Sequence, residues 1–199
     1  FNLEGKKAII TGGSRGIGKA AAEVLHDYGA EVVIMARSNS LFDVAKQIGC
    51  SGPKVHPIIC DMTDRDSLRE AFSQSTEILK SVDILVNNAG GGIVKPALEI
   101  TLDEWNYTMR LNLESVFELS SLAAKSMIKN KYGKIINIAS LHSVIGKKTT
   151  AAYSASKGGL ALLTKTLAHE WSTYGINVNA IIPGFFDTEL AKDFRNDPI

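Results

Sequence analysis

Short apolar, β-branched runs alternate with helix-like segments along the chain, and this alternation constrains the fold more than any other feature. Six runs have strand character: KAIIT, EVVIMA, VHPIIC, DILVNN, GKIINIAS and INVNAIIPG. The segments between them that have helical periodicity are residues 16–28, 41–48, 64–79, 102–129 and 153–174. Apolar strands joined through helices are typical of parallel sheets that are buried on both faces. The sequence therefore predicts a single α/β domain over residues 1–199, with a doubly wound parallel sheet.

The order of the strands can be predicted from the same pattern. Doubly wound domains with six such strands usually have the order 3-2-1-4-5-6. The third run contains Pro57. Because proline has no backbone N–H to donate, it favours an edge position for that strand.

Composition excludes several classes of function. The chain has 199 residues and a formal net charge of +1, which is ordinary for one globular domain and predicts no nucleic-acid partner. No apolar run is long enough to span a membrane, and the start FNLEGKKAII does not resemble a signal peptide. Cys50 and Cys60 have no metal or CxxC spacing, so we expect reduced thiols in a cytoplasmic protein. The histidines His26, His56 and His169 also lack metal spacing, and no metal is expected.

A glycine-rich loop follows the first strand. Its sequence is TGGSRGIG, residues 11–18, and it leads directly into the first helical segment. Glycine allows a tight turn and lets backbone N–H groups approach a diphosphate at a helix N-terminus. The succession of strand, loop and helix predicts a dinucleotide site, although an ordinary strand-to-helix turn would also fit.

Tyr153 has an ammonium partner one helical turn away. Lys157 is at position i+4, so the two side chains share a helix face, and Ser140 lies upstream. A nearby ammonium can contribute roughly 4 kcal/mol to a phenolate, which predicts a pKa for Tyr153 lowered by up to ~3 units from ~10. Such a phenol could act as a proton shuttle while Ser140 donates a hydrogen bond to a carbonyl oxygen. The alternative is an incidental pair, since Tyr-x-x-x-Lys is common on helices.

Taken together, the motifs resemble those of the short-chain dehydrogenase/reductase family. They are TGGSRGIG, NNAG, Asn112, Ser140, YSASK and PGFFDT, in the family's order and separations over the whole chain. The resemblance implies that Asn112, Ser140, Tyr153 and Lys157 form a catalytic tetrad. In it, Tyr153 is the general acid/base, Lys157 also holds the nicotinamide ribose, and Asn112 interrupts its helix and holds a water. Read without the family, Asn112 is a satisfied mid-helix amide.

The resemblance also implies which residues bind the cofactor. They are Gly12, Ser14, Arg15, Gly16, Ile17 and Gly18 in the loop, Arg37, Asp61, Met62, Asn88, Ala89, Gly90, Tyr153, Lys157, Pro183, Gly184, Phe186 and Thr188. Two of these have simpler alternatives: Asp61 could only cap a turn, and Asn88 could only tie neighbouring strands together. His142 could face the substrate, but we expect an ordinary polar loop residue.

The residues after the second strand bear on the choice of dinucleotide. An NAD enzyme uses a carboxylate there for the adenosine-ribose 2′-OH, whereas this chain has Ala36 and Arg37, with Arg15 in the glycine loop. A guanidinium suits a 2′-phosphate, so NADP is the predicted cofactor and NAD the second choice. The alternative is two solvated arginines.

The expected activity is the interconversion of a secondary alcohol and a ketone on a small-molecule substrate. The resemblance is greatest to sugar-acid dehydrogenases and 3-oxoacyl carrier-protein reductases. The alternatives are an NAD-linked sugar-acid dehydrogenase and a non-catalytic dinucleotide-binding protein. The family commonly builds homo-dimers and homo-tetramers through its two long helices. Its members continue with a seventh strand, so we expect that this chain is truncated at its C-terminus.

Overall fold

The computed structural model describes residues 1–184. These residues form one six-stranded sheet with the order β3-β2-β1-β4-β5-β6, and every pairing is parallel. The strands are β1 Lys7–Thr11, β2 Glu31–Ala36, β3 Val55–Ile59, β4 Ile84–Asn87, β5 Gly133–Ile138 and β6 Ile176–Ile181. The predicted fold class and strand order are confirmed, and Pro57 lies on an edge strand as expected. Residues 1–184 contain no seventh strand.

Six α-helices connect these strands: α1 Gly16–Asp27, α2 Ser40–Ile48, α3 Arg65–Leu79, α4 Leu102–Met109, α5 Ser115–Asn130 and α6 Ala151–Trp171. Their ends follow from local chemistry. Asp64 caps α3 by accepting hydrogen bonds from two backbone N–H groups, and Thr101 forms a capping box with Glu104 at α4. Helix α1 ends before Gly29, whose φ of +100° is one that glycine tolerates well.

Both faces of the sheet are buried. Ile9 of β1 faces a core formed with α3, α5 and α6, and its neighbour Ile10 faces a second core formed with α1 and α2. Both isoleucines have no exposed surface. Each such side chain contributes about 1.5–3 kcal/mol by burial, so the central strand is held rigidly between two helical layers.

The long helix expected over residues 102–129 is not one regular helix. A π-helical segment, Arg110–Glu114, separates α4 from α5. The segment adds one residue to a turn and places Asn112, which has no exposed surface, on the inward side. This agrees with the interruption at Asn112 that the family resemblance implies.

Parallel pairing brings the carboxyl ends of the strands to one edge of the sheet. In the strand register, Thr11 is opposite Met35, and Asn87 is opposite Asn137. The segments that follow β1, β2, β3, β4 and β5 therefore meet there. In open α/β sheets this edge is where ligands bind.

Residues 1–184 contain neither a candidate membrane span nor a candidate metal site. None of the helices in this range has the length and apolar character needed to cross a membrane. No group of three or more His, Cys, Asp or Glu side chains in the same range could hold a metal ion.

Candidate active site

The glycine-rich loop packs against the end of β4. Gly12 and Gly16 have φ values of +66° and +54°, which favour glycine. A Cβ on Gly12 would lie 2.7 Å from Nδ2 of Asn88, and a Cβ on Gly18 would collide with the Gly12 carbonyl oxygen. A side chain is therefore excluded at Gly12 and at Gly18, which leaves the backbone there open to a ligand.

A cleft of about 660 Å³ opens beside this loop. It brings together most of the residues predicted to bind the adenosine half of a dinucleotide. They are Gly12, Ser14, Arg15, Gly16, Ile17, Arg37, Asp61, Met62, Asn88, Ala89 and Gly90. The cleft also has lining residues that the sequence analysis did not name as site residues: Met35, Ala36, Ser38, Ser40, Cys60 and Leu111. Of these, Ser38 and Ser40 could have been found, because they lie one and three residues after Arg37 in the sequence.

The side chain of Asn88 ties two strands together. Its Nδ2 donates to the carbonyl oxygens of Thr11, at 3.0 Å, and Gly12, at 3.1 Å. The Thr11 hydroxyl in turn accepts from the backbone N–H groups of Asn88 and Ala89. Asn88 thus has the structural role that was left open as an alternative, and it holds the glycine loop in place while lining the cleft.

Asp61 has two sets of contacts. One carboxylate oxygen accepts from the Thr63 backbone N–H at 2.9 Å and from the Thr63 hydroxyl at 2.7 Å, so Asp61 does cap a turn. The other oxygen lies 3.8 Å from the Arg37 guanidinium. Partial burial acts to raise the pKa of Asp61, but the Thr63 donors and Arg37 together hold that pKa below its ordinary value. Arg37 and Asp61 therefore form an exposed ion pair at the cleft.

Ser140, Tyr153 and Lys157 meet at the same edge of the sheet. Ser140 follows β5 and shares a side-chain hydrogen bond with Tyr153 on α6. The Lys157 ammonium lies 5.9 Å from the centre of the Tyr153 ring. Tyr153 and Lys157 are 7% and 4% exposed. The residues predicted as acid/base, ammonium and hydroxyl are thus brought together in a nearly dry site.

The pKa of Tyr153 is raised, and the predicted lowering was wrong for the protein alone. Burial of the phenolate raises the pKa, and the hydrogen bond from Ser140 lowers it by less. The predicted lowering assumed an ammonium about 4 Å from the phenolate and a partly solvated site. It did not include the loss of water around the buried phenol, which raises the pKa. The i, i+4 spacing of Tyr153 and Lys157 therefore does not by itself determine the pKa of Tyr153.

Burial also acts on Lys157. It lowers the pKa of the ammonium from 10.5 to about 8, and the Nζ donates to the Ile138 carbonyl oxygen at 2.7 Å. The side chain is therefore charged at neutral pH, but only narrowly. The positive charge of Lys157 in this position attracts an anion.

Asn112 joins the π-helical segment to the loop after β4. Its Nδ2 donates to the Gly91 carbonyl oxygen at 2.7 Å and to the Ser156 hydroxyl at 2.9 Å, and its Oδ1 accepts from the Gly91 N–H. A Cβ on Gly90 would lie 3.1 Å from Asn112 Oδ1 and 3.3 Å from Lys157 Nζ. Asn112 is thus a satisfied amide, and it also faces the Lys157 ammonium across Gly90.

Two further residues contact Tyr153. His142 is 8% exposed, and its ring packs edge-on against the Tyr153 ring with the centres 5.6 Å apart. The expectation of an ordinary polar loop residue was therefore wrong. Gly92 also approaches Tyr153 so closely that a Cβ there would lie 2.7 Å from Tyr153 Cδ2. The repeated glycines of NNAGGG were a signal for this close approach.

The predicted nicotinamide-side residues are described only in part. Pro183 follows β6, and its carbonyl oxygen accepts from the Leu141 N–H at 3.2 Å, which places it beside the Ser140 segment. Gly184 is exposed. Phe186 and Thr188 lie outside the described residues.

The residues present fit a dinucleotide. Glycines that exclude any Cβ offer backbone N–H groups to a diphosphate, and the cleft runs from Arg37 towards the Lys157 ammonium at Gly90. Next to this cleft lie the Ser140 hydroxyl, the Tyr153 phenol and the Lys157 ammonium. The fold and this site define the class of nucleotide-dependent α/β oxidoreductases.

Comparison with known proteins agrees with this class. The family described as short chain dehydrogenase matches residues 6–199. The 2-dehydro-3-deoxy-D-gluconate 5-dehydrogenase of Pseudoalteromonas atlantica is 40% identical over 99% of this chain and 78% of its own length. The 3-oxoacyl-acyl-carrier-protein reductase of Escherichia coli is 37% identical over 99% of this chain and 80% of its own.

A solved structure has the same architecture. It is a gluconate 5-dehydrogenase from Burkholderia cenocepacia in complex with NADP and tartrate, with a TM-score of 0.91 and 36% identity, covering 98% of this chain and 77% of that one. The chain belongs to the short chain dehydrogenase family. It is an NAD(P)-dependent oxidoreductase that interconverts an alcohol and a ketone on a small-molecule substrate.

Proposed function

We propose that this oxidoreductase uses NADP and that Asn112, Ser140, Tyr153 and Lys157 carry out its catalysis. The observation that carries the proposal is the buried group of Ser140, Tyr153 and Lys157 beside a cleft lined by Arg37. When bound, the nicotinamide supplies or accepts the hydride.

Tyr153 is the proton donor and acceptor in this proposal. Its hydroxyl hydrogen-bonds Ser140, so a substrate oxygen that replaces this bond would lie within reach of both hydroxyls and accept from each. The raised pKa keeps the phenol protonated in the protein alone, which suits the reduction of a ketone. In the opposite direction, the phenolate would need the Lys157 ammonium and the Ser140 hydroxyl to stabilise it.

Lys157 and Asn112 support that proton transfer. The ammonium lies 5.9 Å from the centre of the Tyr153 ring and 3.3 Å from where a Cβ on Gly90 would be, so it can stabilise a developing phenolate and hold a ribose hydroxyl. Asn112 holds the loop at Gly91 through two hydrogen bonds. Its Oδ1, facing the same space as Nζ, could accept from a water that relays protons.

The preference for NADP rests on the residues around Arg37. Arg15, Arg37, Ser38 and Ser40 all line the cleft. This donor-rich set suits a phosphate on the ribose. The related gluconate 5-dehydrogenase was solved with NADP, which agrees with this assignment. Pro183, Gly184, Phe186 and Thr188 are proposed for the nicotinamide side.

Replacing Arg37 with aspartate should shift the cofactor preference. The ratio of kcat/KM for NADPH to that for NADH is expected to fall by about 10- to 100-fold, because one charge-assisted phosphate contact is worth roughly 1.5–3 kcal/mol. The measurement is paired steady-state kinetics with both cofactors. Lys46→Asp is the matched control, because Lys46 is exposed on α2 and does not line the cleft. Equal efficiency of the unmodified protein with both cofactors would contradict the NADP assignment.

The substrate class is proposed to be a sugar acid, with 3-oxoacyl thioesters as the second candidate. Both come from the relatives: several are dehydrogenases of gluconate or its derivatives, and others are 3-oxoacyl reductases. The test is turnover with NADPH on a panel of keto-sugar acids, neutral keto-sugars and 3-oxoacyl thioesters. Tight NADPH binding without turnover of any of them would instead favour a non-catalytic dinucleotide-binding protein.

Assembly and location are also proposals. A groove of about 700 Å³ runs along α3, α5 and α6, and half-exposed Phe117 lies in it. We propose that this face joins copies of the chain into a homo-dimer or homo-tetramer, which sedimentation analysis at several concentrations would test. We also propose that residues 1–199 form one domain. Cys50 and Cys60 are both free thiols, which suits the cytoplasm.

A further inference from the structure

One buried hydroxyl next to the proposed catalytic residues has no part in the proton transfer described above. Ser156 lies on α6 between Tyr153 and Lys157, and it has no exposed surface. Its hydroxyl is therefore out of reach of a bound substrate or cofactor. Any effect of Ser156 on catalysis must act through the groups that it hydrogen-bonds.

The hydroxyl of Ser156 forms two hydrogen bonds. It donates to the carbonyl oxygen of Tyr153 at 2.8 Å and accepts from Nδ2 of Asn112 at 2.9 Å. A serine hydroxyl has one proton to donate. Because that proton is used on Tyr153, the Ser156 oxygen can only accept from Asn112, and it holds the amide with its NH2 group towards α6.

The loop after β4 completes the contacts of the Asn112 amide. Nδ2 also donates to the Gly91 carbonyl oxygen at 2.7 Å, and Oδ1 accepts from the Gly91 N–H at 3.1 Å. Oδ1 and the Lys157 Nζ lie 3.1 and 3.3 Å from where a Cβ on Gly90 would be. Gly91 thus sets which way the amide points, and Ser156 ties the amide to α6.

The surroundings of this bond leave no ready substitute for it. Asn112 and Ser156 have no exposed surface, and the π-helical segment packs so closely on α6 that a Cβ on Gly159 would lie 3.0 Å from Cδ2 of Leu113. Without the Ser156 hydroxyl, one N–H of the Asn112 amide would be buried without its acceptor, which is unfavourable. The amide would then leave its present position.

We propose that Ser156 is a positioning residue for Asn112. Its hydroxyl keeps the amide oxygen beside Gly90, where the Lys157 ammonium also lies, and so keeps proton transfer through Tyr153 fast. This inference rests on the proposed function of Asn112, Tyr153 and Lys157. Because Ser156 acts through Asn112 and is itself buried, its hydroxyl should affect the rate of reduction and leave ligand binding unchanged.

Ser156→Thr and Ser156→Val form an isosteric pair that tests the hydroxyl alone. Both add the same branch at the same buried position, but only threonine keeps a hydroxyl that can bond a carbonyl of its own helix. With a ketone that the unmodified protein reduces, the single-turnover rate of Ser156→Val is expected to be about tenfold below that of Ser156→Thr. The dissociation constant for NADPH and the KM for the ketone should agree within about twofold. Equal rates, or a difference confined to NADPH binding, would overturn the inference.

A double-mutant cycle identifies the group through which Ser156 acts. In an Asn112→Ala background, the rates of Ser156→Thr and Ser156→Val should agree within about twofold, because the amide that the hydroxyl holds is gone. If Asn112→Ala does not fold, Asn112→Leu takes its place, since leucine fills a similar space without a hydrogen bond. A tenfold difference that persists in this background would assign the effect to the bond with the Tyr153 carbonyl and contradict the role of Asn112.

Ser75 provides a control for the loss of a buried hydroxyl in general. It has no exposed surface, and its hydroxyl donates within α3 to the Ala71 carbonyl oxygen at 2.6 Å. Ser75→Ala should keep the single-turnover rate within about twofold, whereas Ser156→Ala should lower it by about tenfold. Thermal unfolding of both variants measures the loss of stability. Equal falls in rate would mean that general destabilisation is the cause, and the inference would fail.

Failure of the proposed function has a different signature. If Tyr153→Phe keeps most of the original rate, the catalytic proposal fails, whatever the variants at Ser156 show. If Tyr153→Phe loses turnover while Ser156→Thr and Ser156→Val react at equal rates, only the positioning role of Ser156 is wrong.

Discussion

Tyr153→Phe is expected to lower kcat by about 10²- to 10⁴-fold, the contribution of a positioned general acid or base. The change deletes only the hydroxyl that bonds Ser140, and the buried ring keeps its contact with His142. The dissociation constant for NADPH should therefore stay within about twofold. The measurement is single-turnover kinetics combined with fluorescence titration of NADPH.

A matched control makes this result specific to the site. Tyr174 is half-exposed and lies just after the end of α6, whereas Tyr153 lies near its start, so Tyr174→Phe should leave kcat within about twofold. A Tyr153→Phe protein that kept most of the original rate would show that another group moves the proton.

Lys157→Met is expected to abolish turnover, weaken NADPH binding and stabilise the fold. Turnover falls because the phenolate of Tyr153 loses its ammonium, and NADPH binding falls because a ribose hydroxyl loses its donor. Stability rises because a buried charge is replaced by an apolar chain of similar length. A shift from 10.5 to about 8 corresponds to about 3 kcal/mol of destabilisation by the ammonium at neutral pH.

The pH dependence of stability checks the origin of that gain. Between pH 8 and 10.5 the unfolded chain still binds the Lys157 proton whereas the folded protein has lost it, so the stability of the unmodified protein rises with pH. The advantage of Lys157→Met should therefore be largest below pH 8 and shrink by about 3 kcal/mol towards pH 10.5. Urea unfolding of both proteins at pH 7, 9 and 10 measures the difference, in which other titrating groups cancel. A constant difference would mean that the ammonium is not the cause.

The fold was predictable from the sequence because its signals are local. Apolar strands, helical periodicity and the glycine loop each depend on residues close together in the chain, and together they led to the observed strand order. The same holds for the pairing of Tyr153 with Lys157, since four residues along a helix always return to the same face. Arg37 was also found from its position just after a strand.

Other features depended on contacts between distant parts of the chain. Asn88 bonds the carbonyl oxygen of Thr11, 77 residues away, and Asn112 bonds Ser156, 44 residues away. The spacing of residues in the sequence does not indicate contacts between positions so far apart in the chain. The role of Asn88 in joining two strands was therefore only one of two alternatives. The burial of His142 against Tyr153 was missed for the same reason.

The sequence by itself thus determined the architecture, the edge of the sheet where a ligand binds and the chemical groups available there. Only the tertiary structure decided how those groups behave. The pKa of Tyr153 is raised although an ammonium lies near its ring, because packing removes water from the phenol. The desolvation of a side chain depends on all the helices, strands and loops that pack over it. Those elements come together only when the chain has folded, so the sequence alone does not determine the pKa.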